Sequence, residues 1–274
     1  MTTTRRAARR WQRFLPAALF FFGGIASAVP TAAQLTVSPA EIALVPGTTP
    51  AASFVVESDA RTTIQVTIYQ NDWDRNNDGE NAFFPQGTVV GSCGDRVKVF
   101  PQTLRIEAGS RQSVRVTSEG GIFPSPCWTI VFVESAPRPA QGQSRVIYVT
   151  RIGVKVYVLP PGLTADAEVT GFALERRRQI PSGPAVDTTQ DELAIRVHNS
   201  GGLPVHFEGR VEIRDLQNKV IATVKVEDFP VLPGSSRRIG VALPVVPPGK
   251  YVALAVLGYG AEDDLAAQIE LEIK

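Results

Sequence analysis

"SRVIYVTRIGVKVYVL", Ser144 to Leu159, is the stretch whose reading decides the fold. From Arg145 to Leu159 it runs fifteen residues without proline, about three times the usual strand length. Read with a period of two, Val146, Tyr148, Thr150, Ile152, Val154, Val156 and Val158 share one side. Ile147, Val149, Arg151, Lys155 and Tyr157 share the other. β-Branched residues dominate, so the segment reads as a strand. A strand apolar on both faces carries more greasy surface than one core of a two-sheet sandwich can take. Two readings follow. It is either a central strand buried on both sides, or an edge kept open to complete the sheet of another protein.

The flanking sequence is built the same way. Before it come "QLTVSPAEIALV", "ASFVVES", "TTIQVTIYQ", "RVKVFPQTLRIE", "QSVRVTS" and "CWTIVFVES"; after it come "DAEVTGFALE", "ELAIRVHNS", "VHFEGRVEIRD", "KVIATVKVE", "RRIGVALPV", "KYVALAVLGYG" and "AAQIELEIK". Turn residues such as "VPGTTP", "NSGGLP" and "VPPGK" separate them. Two sets of about seven short strands predict an all-β chain of two immunoglobulin-like β-sandwich domains in tandem. The joint is placed at "LPPGL", Leu159 to Leu163, where two prolines exclude a continuing central strand. The domains are therefore expected over residues 34–160 and 161–274. "DDLAAQIELEI" near the C-terminus also has some helical spacing, which leaves a short terminal helix open.

The N-terminus is of another kind. Arg5, Arg6, Arg9, Arg10 and Arg13 precede the apolar run "FLPAALFFFGGIASA" and then small residues, the pattern of a signal peptide. Cleavage fits after Ala28 or after Ala33, and the second is preferred because Thr31 and Ala33 are small and Pro30 breaks the preceding helix. Residues 1–33 carry five positive charges and no negative ones, so their removal takes the net charge from +1 to −4. A mildly acidic exported chain has no electrostatic case for nucleic acid. No second apolar run of spanning length follows it. Overall, 43% hydrophobic and 20% charged residues describe an ordinary globular composition. Two cysteines in an exported chain, Cys93 and Cys127, are expected to form a disulfide closing a loop of 35 residues.

The first half resembles the N-terminal domain of the PapD-like periplasmic pilus and fimbrial chaperones. The matching segments run in order: "TVSPAEIALVPG", "ASFVVES", "TTIQVTIYQNDW", "VFPQTLRIEAGSRQSVRV", "CWTIVFVESAP" and "RIGVKVYVLP". The second half resembles the family only as another immunoglobulin-like domain. The resemblance implies donor-strand complementation, in which the long strand 145–159 fills the gap in a subunit lacking its last strand. Carried over by position, Val146, Tyr148, Thr150 and Ile152 would form the donor face. Lys155 would fall on the lysine that holds the subunit's C-terminal carboxylate. The family pairs that lysine with an arginine from its first strand, whereas this chain has Glu41. A glutamate there would neutralise Lys155, unless Arg151 or Arg105 substitutes.

"NDWDRNNDGENAF", Asn71 to Phe83, spells half of a calcium loop through Asp74, Asn76, Asp78 and Gly79. The twelfth position is Pro85, not a bidentate acid, and the flanks are not helices, so a polar turn is the simpler reading. Asp74, Asn76 and Asp78 are the calcium-ligand candidates that this stretch offers. His198 and His206 lack a third ligand, and Trp128 reads as a core or rim aromatic. No nucleophile elbow, P-loop or dinucleotide fingerprint is present, so neither enzyme nor cofactor is expected. The sequence thus points to a periplasmic chaperone of pilus- or fimbria-like subunits, with an outer-membrane usher and self-pairing as further partners. The alternative is an exported structural or adhesive protein without a client.

Overall fold

The computed structural model describes residues 35–121, 124–139, 147–179 and 188–273. Segment 1–33, read from the sequence as a signal peptide, and Val146 lie outside them. Residues Ala32–Lys274 group into one compact unit. Within it the described regular structure is almost entirely strand: β1 Leu35–Ser38, β2 Glu41–Leu44, β3 Ala51–Ser58, β4 Ile64–Arg75, β5 Asn81–Phe84, β6 Val97–Phe100, β7 Thr103–Ile106, β8 Arg111–Ser118, β9 Cys127–Ser135, β10 Arg138–Pro139, β11 Ile147–Tyr148 and β12 Arg151–Val158. These are followed by β13 Ala167–Gln179, β14 Thr188–Asn199, β15 Val205–Arg214, β16 Val220–Val231, β17 Ser236–Ala242, β18 Gly249–Gly258 and β19 Leu265–Ile273. The C-terminal segment with helical spacing is β19; its pairing with β18 along nine registered residues outweighs a weak local preference.

Two sandwiches result. In the first, the sheet β1-β3-β8-β6 faces the sheet β2-β12-β9-β4, which β7 and β5 extend along β4. In the second, β13-β14-β17 faces β16-β15-β18-β19. The second holds seven strands, as its spacing suggests. The first holds ten among the described residues: the opening strand divides at Pro39–Ala40, with β1 joining one sheet and β2 the other, a later segment divides at Pro101–Gln102 into β6 and β7, and β5 is added beside β4. Period-two alternation builds each core. Phe54 and Val56 meet Val131, Val133, Val154, Val156 and Val158 in the first, and Leu193, Ile195, Phe207, Val211 and Ile213 fill the second.

A third cluster of Trp73, Trp128, Ile130, Phe132, Tyr157 and Leu232 lies on the outer face of the β9/β12 sheet. Leu232, from the second sandwich, is 2% exposed there. This cluster explains how one strand can be apolar on both faces. The even residues of β12 enter the first core, and Tyr157 on the odd face packs into this second apolar layer.

Candidate functional site

Over its described residues, 147–159, the predicted long strand is not continuous. It is β11 followed by β12, with Val149 and Thr150 between them outside regular pairing. The interruption has a local cause. The Ser135 N–H donates to the Thr150 C=O at 2.9 Å while the Thr150 N–H turns to the Ser135 hydroxyl at 3.0 Å, so a side chain replaces one rung of the ladder. Beyond that point β10 and β11 pair only as Arg138 with Tyr148 and Pro139 with Ile147, a narrow two-stranded arm.

The apolar residues of that arm are out in solvent. Ile147 is 66% exposed, Tyr148 61% and Val149 47%. Among the residues predicted to form a donor face, Tyr148 is exposed, Thr150 is half-buried, and Ile152 packs partly against the first core. Val146 lies outside the described residues.

β12 itself has two halves. Along its whole length it pairs with β9. On the other side β2 runs parallel to it, but only opposite Lys155–Val158. The Lys155 N–H donates to the Ala40 C=O at 2.9 Å and the Leu159 N–H to the Leu44 C=O at 2.8 Å, so the odd residues turn their main-chain groups away from β9. By the same alternation, Arg151 and Gly153 face that side too. There, among the described residues, no strand pairs with them. The first half of β12 is an open edge; the second half is interior.

Lys155 is at the boundary. It forms an ion pair with Glu41, the residue directly opposite it in the β2 register. Its ammonium also lies 5.5 Å from the centre of the Trp73 ring. Glu41 therefore neutralises Lys155, as the sequence suggested. The alternative arginines are elsewhere: Arg151 donates to Glu134 at 2.6 Å, and Arg105 is exposed on β7. Hydrogen bonds from Tyr69 and then Arg151 hold the Glu134 carboxyl below its ordinary range. His206, from the second sandwich, approaches Glu41 to 3.7 Å and Asp228 to 3.0 Å.

The calcium-like stretch is a hairpin turn between β4 and β5. The Asn76 Oδ1 accepts the N–H groups of Asp78 and Glu80 at 3.1 and 2.9 Å. Asp74 accepts the N–H of its neighbour Arg75 at 2.7 Å. Gly79 takes φ +90°, the conformation an Asp-Gly turn needs. Among the described residues no group of three or more His, Cys, Asp or Glu is placed to hold a metal ion. The turn serves the junction. Its Asn77 C=O accepts the Arg238 N–H at 2.7 Å, and Arg75 and Arg237 both donate to the Pro230 C=O. Burial pulls both guanidiniums below their ordinary pKa.

The Cys93–Cys127 disulfide is formed, with the Cα atoms 4.9 Å apart. It ties the connection after β5 to the start of β9. Buried Asp72 holds the same connection, accepting from Thr88, Val89 and Ser92. Trp128 is buried and lies against Gly91, which has no side chain to block the ring. Sequence reasoning read the odd face of this strand but passed over Gly153 within it. A glycine inside a long β-branched strand was its visible signal.

No protein-family model matches the chain, and no curated protein matches it. Among solved structures it is similar to the class 5 fimbriae chaperone CfaA, at 15% identity over 86% of this chain and 98% of that one, with a TM-score of 0.49. It is similar to the YadV chaperone at 13% identity, over 86% of this chain and 99% of that one, with a TM-score of 0.47. The E. coli chaperone DraB follows at 17% identity, over 88% and 98%, with a TM-score of 0.44.

Proposed function

We propose that this protein is an exported chaperone of pilus- or fimbria-like subunits, and that it binds them by strand addition along Ile147–Val154. The observation that carries the reading is the half-open edge of β12. An edge strand with unpaired main-chain groups and exposed apolar neighbours is a template for another chain, and soluble proteins ordinarily block such edges with charge, proline or cover. Here the main-chain groups of Arg151 and Gly153 supply the ladder, and Tyr148, Thr150 and Ile152 supply the alternating side chains. Val146 extends that face in the sequence.

Such a chaperone works in the periplasm after its signal peptide is removed near Ala33. Two domains, 34–160 and 161–274, would frame the client between them, and release to an outer-membrane usher requires no nucleotide. Self-pairing through the same edge would shield it when no client is present. Lys155 contributes less than the family pattern implies, because Glu41 already satisfies it.

The test is capture from a periplasmic extract with wild type beside Ile147→Asp/Tyr148→Asp. Both side chains are exposed, so the variant keeps its fold and its circular dichroism spectrum. Small β-rich exported subunits should come down with wild type and be lost with the variant. Equal capture by both, or capture of nothing by wild type, would return the protein to the structural or adhesive class.

A further inference from the structure

Two arginines meet at the junction of the sandwiches without an acid between them. Arg75, at the end of β4, and Arg237, near the start of β17, both donate through Nη1 to the Pro230 C=O, at 3.3 and 3.0 Å. One neutral carbonyl therefore serves two cations. Among the described residues neither arginine forms an ion pair. The carboxylates whose fields reach them are Glu41 for Arg75 and Asp228 for Arg237. Both are engaged elsewhere. Glu41 pairs with Lys155 and approaches His206, and Asp228 lies 3.0 Å from His206.

Uncharged groups hold both guanidiniums in place. Arg75 lies 5.5 Å from the centre of the Trp73 ring, and its Nε donates to the Asn81 Oδ1 at 2.9 Å. Arg237 lies 5.2 Å from the centre of the Phe229 ring, and its Nη2 passes so close over Gly79 that a Cβ there would be 2.3 Å away. The Arg237 Nε is buried and has no hydrogen-bond partner among the described residues. Burial first, and then the charge of Arg75, pull the Arg237 guanidinium below its ordinary pKa. A partly buried cation without a counter-charge is costly, and folded proteins ordinarily relieve it. One side of Arg237 faces open space. Together with Asp228 and Phe229 it lines a cavity of about 310 Å³ between β16 and β17.

We infer that Arg75 and Arg237 form a binding site for a small oxyanion, of the carboxylate or phosphate class, at the junction of the two sandwiches. The site is independent of strand addition, since neither arginine lies on β12. Planar guanidiniums match such an ion through paired N–H donors, and they shed their hydration more readily than an ammonium does. The ion supplies the counter-charge that neither Glu41 nor Asp228 provides. Because the first sandwich contributes Arg75 and the second Arg237, the bound ion also ties the two together. Lys155 does not compete for it, being neutralised by Glu41.

The test titrates the purified protein with inorganic phosphate and, separately, with acetate, at an ionic strength held constant with chloride. NMR follows the Nε–H signals of Arg75 and Arg237 and the backbone amides of Asn77, Gly79 and Arg238. These signals should move along a saturating curve, half complete at about 1–10 mM. Arg237→Gln should weaken binding about tenfold or more, and Arg237→Lys, which keeps the charge but loses the fork, by less. Melting curves show whether each variant is folded, and a saturating shift of the Arg237 Nε–H in wild type locates the ion without either. Saturation by phosphate with acetate inert assigns the site to a free phosphate. Saturation by acetate as well assigns it to carboxylates, including those of another polypeptide. Shifts that grow linearly without saturating, or that are the same in wild type and a folded Arg237→Gln, mean an adventitious ion only and overturn the inference.

Discussion

Gly79 shows how one residue couples a local turn to the whole protein. Its φ of +90° suits glycine, and an added Cβ would lie 2.3 Å from Arg237 Nη2 across the junction. Gly79→Ala should therefore cost about 1–3 kcal/mol, combining backbone strain with displacement of the arginine. Urea denaturation measures it, and an unchanged midpoint would show that the turn yields freely. Glu175 makes a different prediction at the same scale. Hydrogen bonds from Arg238 and then Arg196 hold its carboxyl below the ordinary glutamate range. A carboxylate depressed in the folded state stabilises fully above its unfolded pKa, and that stabilisation drains away as pH falls through the folded value. Stability should decline on acidification, and Glu175→Gln should show a shallower decline than wild type in denaturation midpoints between neutral and acid pH.

Among the elements, β12 matters most because its two halves meet different neighbours. Lys155–Val158 lies between β9 and β2, whereas among the described residues Arg151–Val154 pairs with β9 alone. The alternation of apolar residues is the same in both halves, so periodicity could not separate them. The division is set by the place where the first strand crosses between sheets, at Pro39–Ala40. A nearby element shows the opposite balance. The Cys93–Cys127 bridge was legible from residue count and from the export that the N-terminal sequence implies, because a cysteine pair in such a chain has few other fates. It anchors the connection between β5 and β6 to β9. Cys93→Ser with Cys127→Ser should lower stability by about 2–4 kcal/mol in reversible denaturation. A loss near zero would show that the hydrogen bonds of Asp72 hold that connection unaided.

Taken whole, the two sandwiches share a buried apolar contact and a polar rim. Leu232 enters the cluster of Trp73, Trp128, Ile130, Phe132 and Tyr157, while Asn77, Arg75 and Arg237 hydrogen-bond around it. Leu232→Asp would bury a charge with no partner of its own, at a cost of several kcal/mol. The expected result is calorimetric unfolding in two transitions where wild type shows one. A single transition in the variant would mean that the polar rim suffices to couple the sandwiches. The all-β class, the alternating cores and the disulfide were legible in the residues alone, because these follow from residue types at fixed spacing and from the export the N-terminus implies. The sequence also foreshadowed the neutral pairing of Lys155 with Glu41, since opposite charges in a shared position attract whatever surrounds them. Which half of β12 is interior, what covers its odd face and how a calcium-like loop braces the junction emerge only from the fold. Those outcomes depend on which strand lies beside which, and period-two patterning names the face of a residue without naming its neighbour.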